Sequence, residues 1–247
     1  MATEVQCNVI GRSALSIIVE ALVDDPMRPC KTVFAATTGM MLCLCAASCA
    51  PSTEERPQHG HSWNHSDTLP GVDDRRLAEL RDLKADVTIE RNRLGKSVVS
   101  IDLNLVRDVT PALRLVANLP TVDRVSLLDA ELHSEDFQQL RKVDTLRWLD
   151  LSNSTVTDAD LSFLEFTPQL EFLLLWSTGI TDAGLQHVAR LPRLQKLDLS
   201  GTKITSDGLG RLTDLRELLE LYLEVPGIGE EELKRLQEKL PNTLIVH

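Results

Sequence analysis

The 24 residues from Leu146 to Gln169, LRWLDLSNSTVTDADLSFLEFTPQ, are followed directly by LEFLLLWSTGITDAGLQHVARLPR, residues 170–193, and the two segments share one pattern. Each begins L-x-x-L-x-L, continues through a hydroxyl residue and T-D, and ends in an apolar stretch. The opening pattern recurs every 24 residues from Val98 to Leu223, with valine or isoleucine replacing leucine in the first two units. Repetition at one spacing indicates stacked repeats.

Each unit contains a strand pattern followed by a helix pattern. The L-x-L alternation predicts a short strand whose leucines point to one side of a sheet. Leucines three apart, such as Leu161 and Leu164, predict a helix that turns its apolar side to the same core. The Thr or Ser before each helical stretch is a predicted N-cap, and the adjacent Asp suits the positive end of the helix. One unit cannot bury this surface alone, so the strands are predicted to form a parallel sheet and the units a solenoid.

These units resemble leucine-rich repeats, in particular those of planctomycete-type bacterial proteins and of F-box leucine-rich proteins. The resemblance covers residues 98–247 and implies an α/β horseshoe with a parallel concave sheet and helices on the convex side. The Asn that often follows the strand in such repeats is replaced in this chain. The replacing residues are Ala130, Ser154, Thr178 and Thr202. A ladder of hydroxyl groups is therefore predicted to satisfy the backbone of the turns, and Pro226 to interrupt it.

Both ends of the solenoid are predicted to be capped. Residues 72–97 are the predicted N-terminal cap, with a helix over 72–84 and an alternating strand over 86–90 that forms a hairpin or a first sheet strand. At the other end a charged helix over 230–240 and a last strand over 244–246 are predicted to complete residues 98–247.

A targeting segment is predicted ahead of the repeats. No charged residue occurs from Thr32 to Thr53, and Arg28 and Lys31 precede this stretch. A basic start, an apolar core and an exit of small residues are typical of a secretory signal. The exit, AASC ending at Cys49, resembles a bacterial lipobox, in which the Cys is lipidated. The alternatives are a signal without lipid and a single membrane-spanning anchor.

The predicted organisation of the first 71 residues follows from this segment. Residues 1–26 are interpreted as a misassigned start or a disordered segment, and 27–49 as the signal peptide or anchor. Residues 50–71, rich in Pro, Gly, Ser and charge, are interpreted as a flexible tether.

Composition excludes several classes of protein. With 43% hydrophobic and 26% charged residues the chain is neither wholly disordered nor a polytopic membrane protein. The net charge of −11 repels phosphate backbones, so nucleic acid is not a predicted partner. All 5 Cys lie at or before Cys49, so apolar burial alone must hold the repeats together.

The repeat register also predicts a binding surface. Counted from the first leucine of each unit, residues four and six face the core, and residues three, five and seven face the concave side. Exposed aromatic residues rimmed by charge are typical of recognition surfaces. The predicted partner-binding residues are the anchors Trp148, Phe172, Leu174, Trp176 and Tyr222, and the charged Arg124, Asp150, Lys196, Asp198, Glu220 and Glu224. The alternative is that the rings only pack along the sheet or are covered by the tether.

Residue types capable of chemistry are interpreted as structural. Asp102, Asp150 and Asp198 share position five of alternate units, on a face that nothing shields from water, so they are predicted to be solvated charges and not catalytic acids. The histidines of the tether, at 59, 61 and 65, lack a fixed geometry, so no metal site and no cofactor is predicted.

The sequence therefore predicts a non-enzymatic leucine-rich-repeat module that binds a protein through its concave face. The signal segment predicts attachment to the cell envelope, as a membrane-anchored lipoprotein, or secretion. Two alternatives stay open: a self-associating scaffold whose apolar patch packs against a second copy, and a surface module that binds carbohydrate.

Overall fold

The computed structural model describes residues 74–91 and 96–247. The predicted start, signal segment, tether and Cys49 lie outside the described residues. The strands are β1 (Asp86–Arg91), β2 (Ser97–Asp102), β3 (Arg124–Ser126), β4 (Trp148–Asp150), β5 (Phe172–Leu174), β6 (Lys196–Asp198), β7 (Glu220–Tyr222) and β8 (Leu244–Val246). The α-helices are α1 (Asp74–Asp82), α2 (Thr110–Val116), α3 (Ser134–Leu140), α4 (Leu185–Val188) and α5 (Glu230–Lys239), and 3₁₀ helices span Asp160–Phe166 and Gly208–Asp214.

All eight strands form one sheet in chain order. β1 pairs antiparallel with β2, and every later pair is parallel. Residues 24 apart lie side by side across neighbouring strands, so Leu149 pairs with Leu173, and Leu173 with Leu197. The predicted α/β leucine-rich-repeat solenoid is confirmed.

One continuous core lies between the sheet and the helices. The residues at positions four and six of each unit, such as Leu173 and Leu175, are fully buried. The helical leucines meet them from the other side, and Leu161 and Leu185 are likewise fully buried. Burying one leucine contributes roughly 1.5–3 kcal/mol relative to leaving it exposed, so the repeated leucines supply the main stabilisation.

Hydroxyl groups close the turn after each central strand. The side chains of Ser154, Thr178 and Thr202 donate to the carbonyl oxygens three residues earlier, at 2.6, 2.7 and 2.6 Å. All three are buried, so an unpaired carbonyl there would cost free energy. The predicted ladder is present, and it ends before Pro226, where the Val225 N–H instead donates to the Leu223 carbonyl at 2.7 Å.

The chain turns sharply at the eighth residue of the central units. Asp129, Asn153, Ser177 and Gly201 have φ values of 61°, 53°, 55° and 67°. Gly, Asn and Asp adopt this left-handed conformation most readily, whereas Ser177 incurs a steric cost for it. The turn aims the following residues away from the sheet and toward the helix layer.

The helix layer differs from the prediction in its capping. Asp158 and Asp182, expected at the positive ends of their own helices, instead accept hydrogen bonds from the next unit. Thr181 Oγ1 donates to Asp158 Oδ2, and Thr205 Oγ1 to Asp182 Oδ2, each at 2.6 Å. The backbone N–H groups of both threonines donate to the same carboxylates at 2.8 Å. The Thr–Asp pair therefore cross-links neighbouring units, because stacking places each Asp beside the following Thr.

Candidate binding surface

The strand register determines which side chains share the face of the sheet that lies opposite the core. We call this the open face; it is formed by residues three, five and seven of each unit and is the face predicted to be concave. Trp148 on β4 lies beside Phe172 on β5, and Asp150 lies beside Leu174. Neighbouring strands are about 4.8 Å apart, so these pairs are close neighbours on the face.

Four large apolar side chains share the open face on β4, on β5 and in the turn just after β5. We call them the aromatic centre: Trp148, Phe172, Leu174 and Trp176. Trp176 is 48% exposed, and the other three are half-buried. Exposed contiguous apolar surface of this kind is typical of a recognition site.

Tyr222 was predicted as an anchor of the same surface, but it lies apart from the aromatic centre. It stands on β7 beside Asp198 on β6, so a whole strand separates it from β5. Its hydroxyl donates to Glu220 Oε2 at 3.1 Å. Lys196 Nζ lies 3.2 Å from Glu220 Oε2 and 5.1 Å from the centroid of the Tyr222 ring. Lys196, Glu220 and Tyr222, which we call the ionic cluster, therefore hold one another in place.

The electrostatics of Tyr222 agree with this arrangement. Partial burial raises the pKa of its phenol above 10.0, while the positive charge of Lys196 lowers it and the carboxylate of Glu220 raises it. The phenol thus stays protonated at neutral pH and can donate to Glu220. The side chains of the ionic cluster already bind one another, whereas Trp176 of the aromatic centre leaves 48% of its surface exposed to solvent.

The other predicted charges are distributed around the aromatic centre. Arg124 is exposed on β3 beside Trp148, and Glu224 is exposed just after β7. Asp150 and Asp198 are half-buried at position five of their units. Arg124 and Asp150 therefore lie at the aromatic centre, and Glu224 lies beside the ionic cluster. Asp198 lies between the two, beside Leu174 on one side and Tyr222 on the other.

The aspartates at position five have a structural task. Asp102 Oδ1 accepts the backbone N–H of Asn104 at 2.9 Å. Asp150 Oδ1 accepts that of Ser152 at 2.8 Å, and Asp198 Oδ1 that of Ser200 at 2.9 Å. Each carboxylate therefore stabilises the end of its own strand, as Asp residues do in turns.

The carboxylate of Asp150 is also shielded from water. Loss of water around this half-buried group raises its pKa above the ordinary 3.8. The hydroxyl and N–H of Ser152 act in the opposite direction, and the negative charges of Asp198 and Asp102 add a smaller upward contribution. A carboxylate in such surroundings interacts more strongly with a cation than one in open water.

Several exposed apolar residues were not predicted. Leu244 is 61% exposed and pairs with Glu220, which places it on the open face. The 24-residue count extended by one unit would have found it, but the last unit lacks the L-x-x-L-x-L pattern. Phe166, 42% exposed in the helix layer, lies under the guanidinium of Arg141 at 4.0 Å. No repeat position could have predicted this cation–π pair.

A cavity of about 330 Å³ lies between α5 and β8, lined in part by Leu233, Lys234 and Ile245. It is distant in the sheet order from β4 and β5 and has no part in the aromatic centre. Within residues 74–91 and 96–247, no three His, Cys, Asp or Glu side chains gather as metal ligands would. In the same ranges, every helix is too short or too polar to cross a bilayer.

Solved structures with a similar backbone include leucine-rich-repeat proteins. No family model matches the sequence, and no curated protein matches it. A leucine-rich-repeat protein of Leptospira interrogans is 22% identical with a TM-score of 0.41, over 54% of this chain and 33% of that one. The leucine-rich-repeat ectodomain of the Arabidopsis receptor kinase HAESA, solved with a peptide hormone, is 19% identical with a TM-score of 0.45, over 70% of this chain and 32% of that one.

A third similar structure, from the Drosophila melanogaster SNF/U2A′ complex, is 14% identical with a TM-score of 0.36, over 65% of this chain and 88% of that one. The chain spans about a third of the length of the first two structures. The 24-residue register and the single layer of helices behind one sheet define the class of fold as a leucine-rich-repeat solenoid.

Proposed function

We propose that this chain is a non-enzymatic leucine-rich-repeat module that binds a partner protein through its open face. One observation carries the proposal: Trp176 is 48% exposed, on the same face of the sheet as Leu174, Phe172 and Trp148. Tryptophan contributes more binding energy than most residues when a partner removes it from water. The sheet already fixes the backbone beneath these side chains, so little conformational entropy is lost on binding.

The carboxylates support binding in preference to catalysis. The position-five aspartates each accept a backbone hydrogen bond, and they lie on alternate strands. An acid-base mechanism requires a cleft that positions a substrate, and the cavity between α5 and β8 is lined by none of these aspartates. The contacts of these residues instead suit a surface that selects its partner by charge.

The test compares capture of partner proteins from membranes of the source cells by the wild type and by the Trp148→Ala/Trp176→Ala variant. The matched control is Phe166→Ala, which removes an aromatic ring of similar exposure from the helix layer. We expect the double variant to lose a protein that the wild type and the control both retain. Equal capture by all three would refute the proposal.

Two measurements distinguish the alternative functions. Light scattering over a range of concentrations would show a Trp-dependent increase in mass if the aromatic centre packs against a second copy. Binding to a glycan array that depends on the same tryptophans would favour a carbohydrate ligand, because sugars also stack on indole rings.

We also propose that the module is attached to the cell envelope through Cys49, which follows the apolar segment ending in AAS. The test is incorporation of an alkyne-labelled fatty acid by the wild type and by Cys49→Ala. Label in the wild type alone supports lipidation. Absence of label, with the protein still in the membrane fraction, would indicate a membrane-spanning anchor instead.

A further inference from the structure

Two carboxylates flank Leu174 in the strand register, Asp150 on β4 and Asp198 on β6, and Asp150 is the one that shares its strand with Trp148. In the strand register Asp150 has Ser126 on one side and Leu174 on the other. Along β4 and just beyond it, Trp148 precedes it and Ser152 follows it on the same face. Two of its four neighbours are small and buried, so large side chains flank it only at Trp148 and Leu174.

In the part of the chain that the structure describes, residues 74–91 and 96–247, the carboxylate of Asp150 forms no ion pair, and its hydrogen bonds are those with Ser152. Lys196 is committed to Glu220 at 3.2 Å. Arg124 is in register with Trp148 and not with Asp150, and it makes no ion pair with Asp150 in the same ranges. A half-buried charge without a counter-charge is an unfavourable arrangement that a cationic partner would relieve.

The remainder of the open face is also negative. In the units of β2 to β7, positions three, five and seven carry more carboxylates than cations. The carboxylates are Asp102, Asp150, Asp198, Glu220 and Glu224, and the cations are Arg124 and Lys196. Such a face attracts a basic partner over distances of about a Debye length, roughly 8–10 Å.

We propose that the partner is a polypeptide that places a lysine or arginine side chain over Asp150, between Trp148 and Leu174. The ammonium or guanidinium group pairs with the carboxylate, and the aliphatic stem of the side chain lies on the two flanking apolar residues. The Trp148 ring adds a cation–π contact. An apolar residue next in the partner's sequence then covers Phe172 or Trp176. This inference rests on the proposed function and names the chemistry of the partner.

The choice of a polypeptide follows from the combination of groups. A basic side chain carries both the charge that Asp150 requires and the aliphatic stem that its neighbours require. A neutral sugar could stack on the indoles but would leave the carboxylate without a counter-charge. An acidic partner would meet a face on which carboxylates outnumber cations.

The experiment selects peptides from a phage-displayed library of random dodecapeptides on the full chain, purified in detergent. We expect the selected peptides to contain Lys or Arg next to a large apolar residue. The binding constant of the best peptide is then measured by isothermal titration calorimetry against wild type and Asp150→Asn. The same measurement uses the peptide with its Arg replaced by citrulline, or its Lys by norleucine.

The two changes form a double-mutant cycle. Each alone should weaken binding by about 10-fold, the effect of losing one charge-assisted contact, and the two together should weaken it little further. The side-chain amide introduced by Asp150→Asn can still accept the N–H of Ser152, so the strand end stays intact. Glu238→Gln, which removes the same charge from the exposed side of α5, should leave affinity unchanged.

Three results would overturn the inference: selection of acidic or uncharged peptides, independent effects in the cycle, or no selected peptide. Peptides that depend on Trp148 and Trp176 but not on Asp150 would overturn it while leaving the proposed function in place. Peptides that depend on neither tryptophan would overturn both.

Discussion

The two faces of β5 carry similar side chains that serve different purposes. Leu173 and Leu175 point into the core and are fully buried. Leu174, between them, is half-buried on the open face, and Trp176 beyond it is 48% exposed. Strand alternation, and not hydrophobicity, separates the two roles. In this chain the function of an apolar residue is therefore decided by its position in the 24-residue register.

The largest expected effect lies on the core face. Leu175→Ala should lower the free energy of unfolding by roughly 2–5 kcal/mol, because it leaves a cavity between the sheet and the helix layer. Urea denaturation followed by circular dichroism measures this loss. Leu174→Ala removes the same atoms one residue earlier and is the control, with a markedly smaller loss. Similar losses for the two variants would mean that the faces are not separated as described.

The periodic part of this comparison could be predicted from sequence. Six L-x-x-L-x-L patterns at one spacing determine the strands, and the spacing determines which residues become neighbours across them. Trp148 beside Phe172 follows directly from that count. The hydroxyl ladder could also be predicted, because its residues occupy one repeat position and the turn leaves a carbonyl for them.

The parts that could not be predicted depend on contacts outside the periodic pattern. The register places Tyr222 two strands from β5, but it does not reveal that Lys196 and Glu220 engage its ring and hydroxyl. To predict the Thr–Asp hydrogen bonds between units, one would need to know how far one helix segment is offset from the next. The pattern places Asp150 on the face but does not reveal that, among residues 74–91 and 96–247, it has no ion-pair partner.

A second, smaller effect tests the turn that leads from β5 to the helix layer. Thr178→Val removes the hydroxyl that donates to the Leu175 carbonyl at 2.7 Å, while preserving the shape of the side chain. Losing this buried hydrogen bond should cost about 0.5–1.5 kcal/mol of unfolding free energy, measured by the same denaturation. The comparison is Thr213→Val, whose hydroxyl donates to the Gly210 carbonyl in an exposed part of the second 3₁₀ helix, and it should cost less. The reverse order would mean that the ladder adds nothing to stability.

A third test returns to the open face. Trp176→Ala should change the free energy of unfolding by less than about 1 kcal/mol, because nearly half of the ring is already in water. The backbone carbonyl of Trp176, which accepts the N–H of Asn153 at 2.7 Å, is kept in the variant. Thermal denaturation measures the change. A loss as large as that of Leu175→Ala would show that the ring belongs to the core.

The smallest expected effect is the pH dependence of stability that results from the desolvation of Asp150 on the open face. Burial raises the pKa of Asp150 above 3.8 in the folded chain, while in the unfolded chain the pKa returns to its ordinary value. Between these two values the folded state binds more protons. The contribution of this group to stability is therefore complete below pH 3.8 and declines as pH rises through the folded-state pKa. The Asp150→Asn variant cannot ionise at this position, so its stability relative to wild type should increase from about pH 3.5 to about pH 7, measured by urea denaturation.

A second variant tests the cause of that pH dependence. Ser152→Ala removes the hydroxyl that lowers the pKa of Asp150, so the folded-state pKa should rise further. The decline in stability with rising pH should then be larger in Ser152→Ala than in the wild type, because the two pKa values lie further apart. If the difference in unfolding free energy between Asp150→Asn and the wild type stayed constant from about pH 3.5 to about pH 7, solvent would have to reach the carboxylate freely. The open face would then lack the dry centre that distinguishes it from an ordinary polar surface.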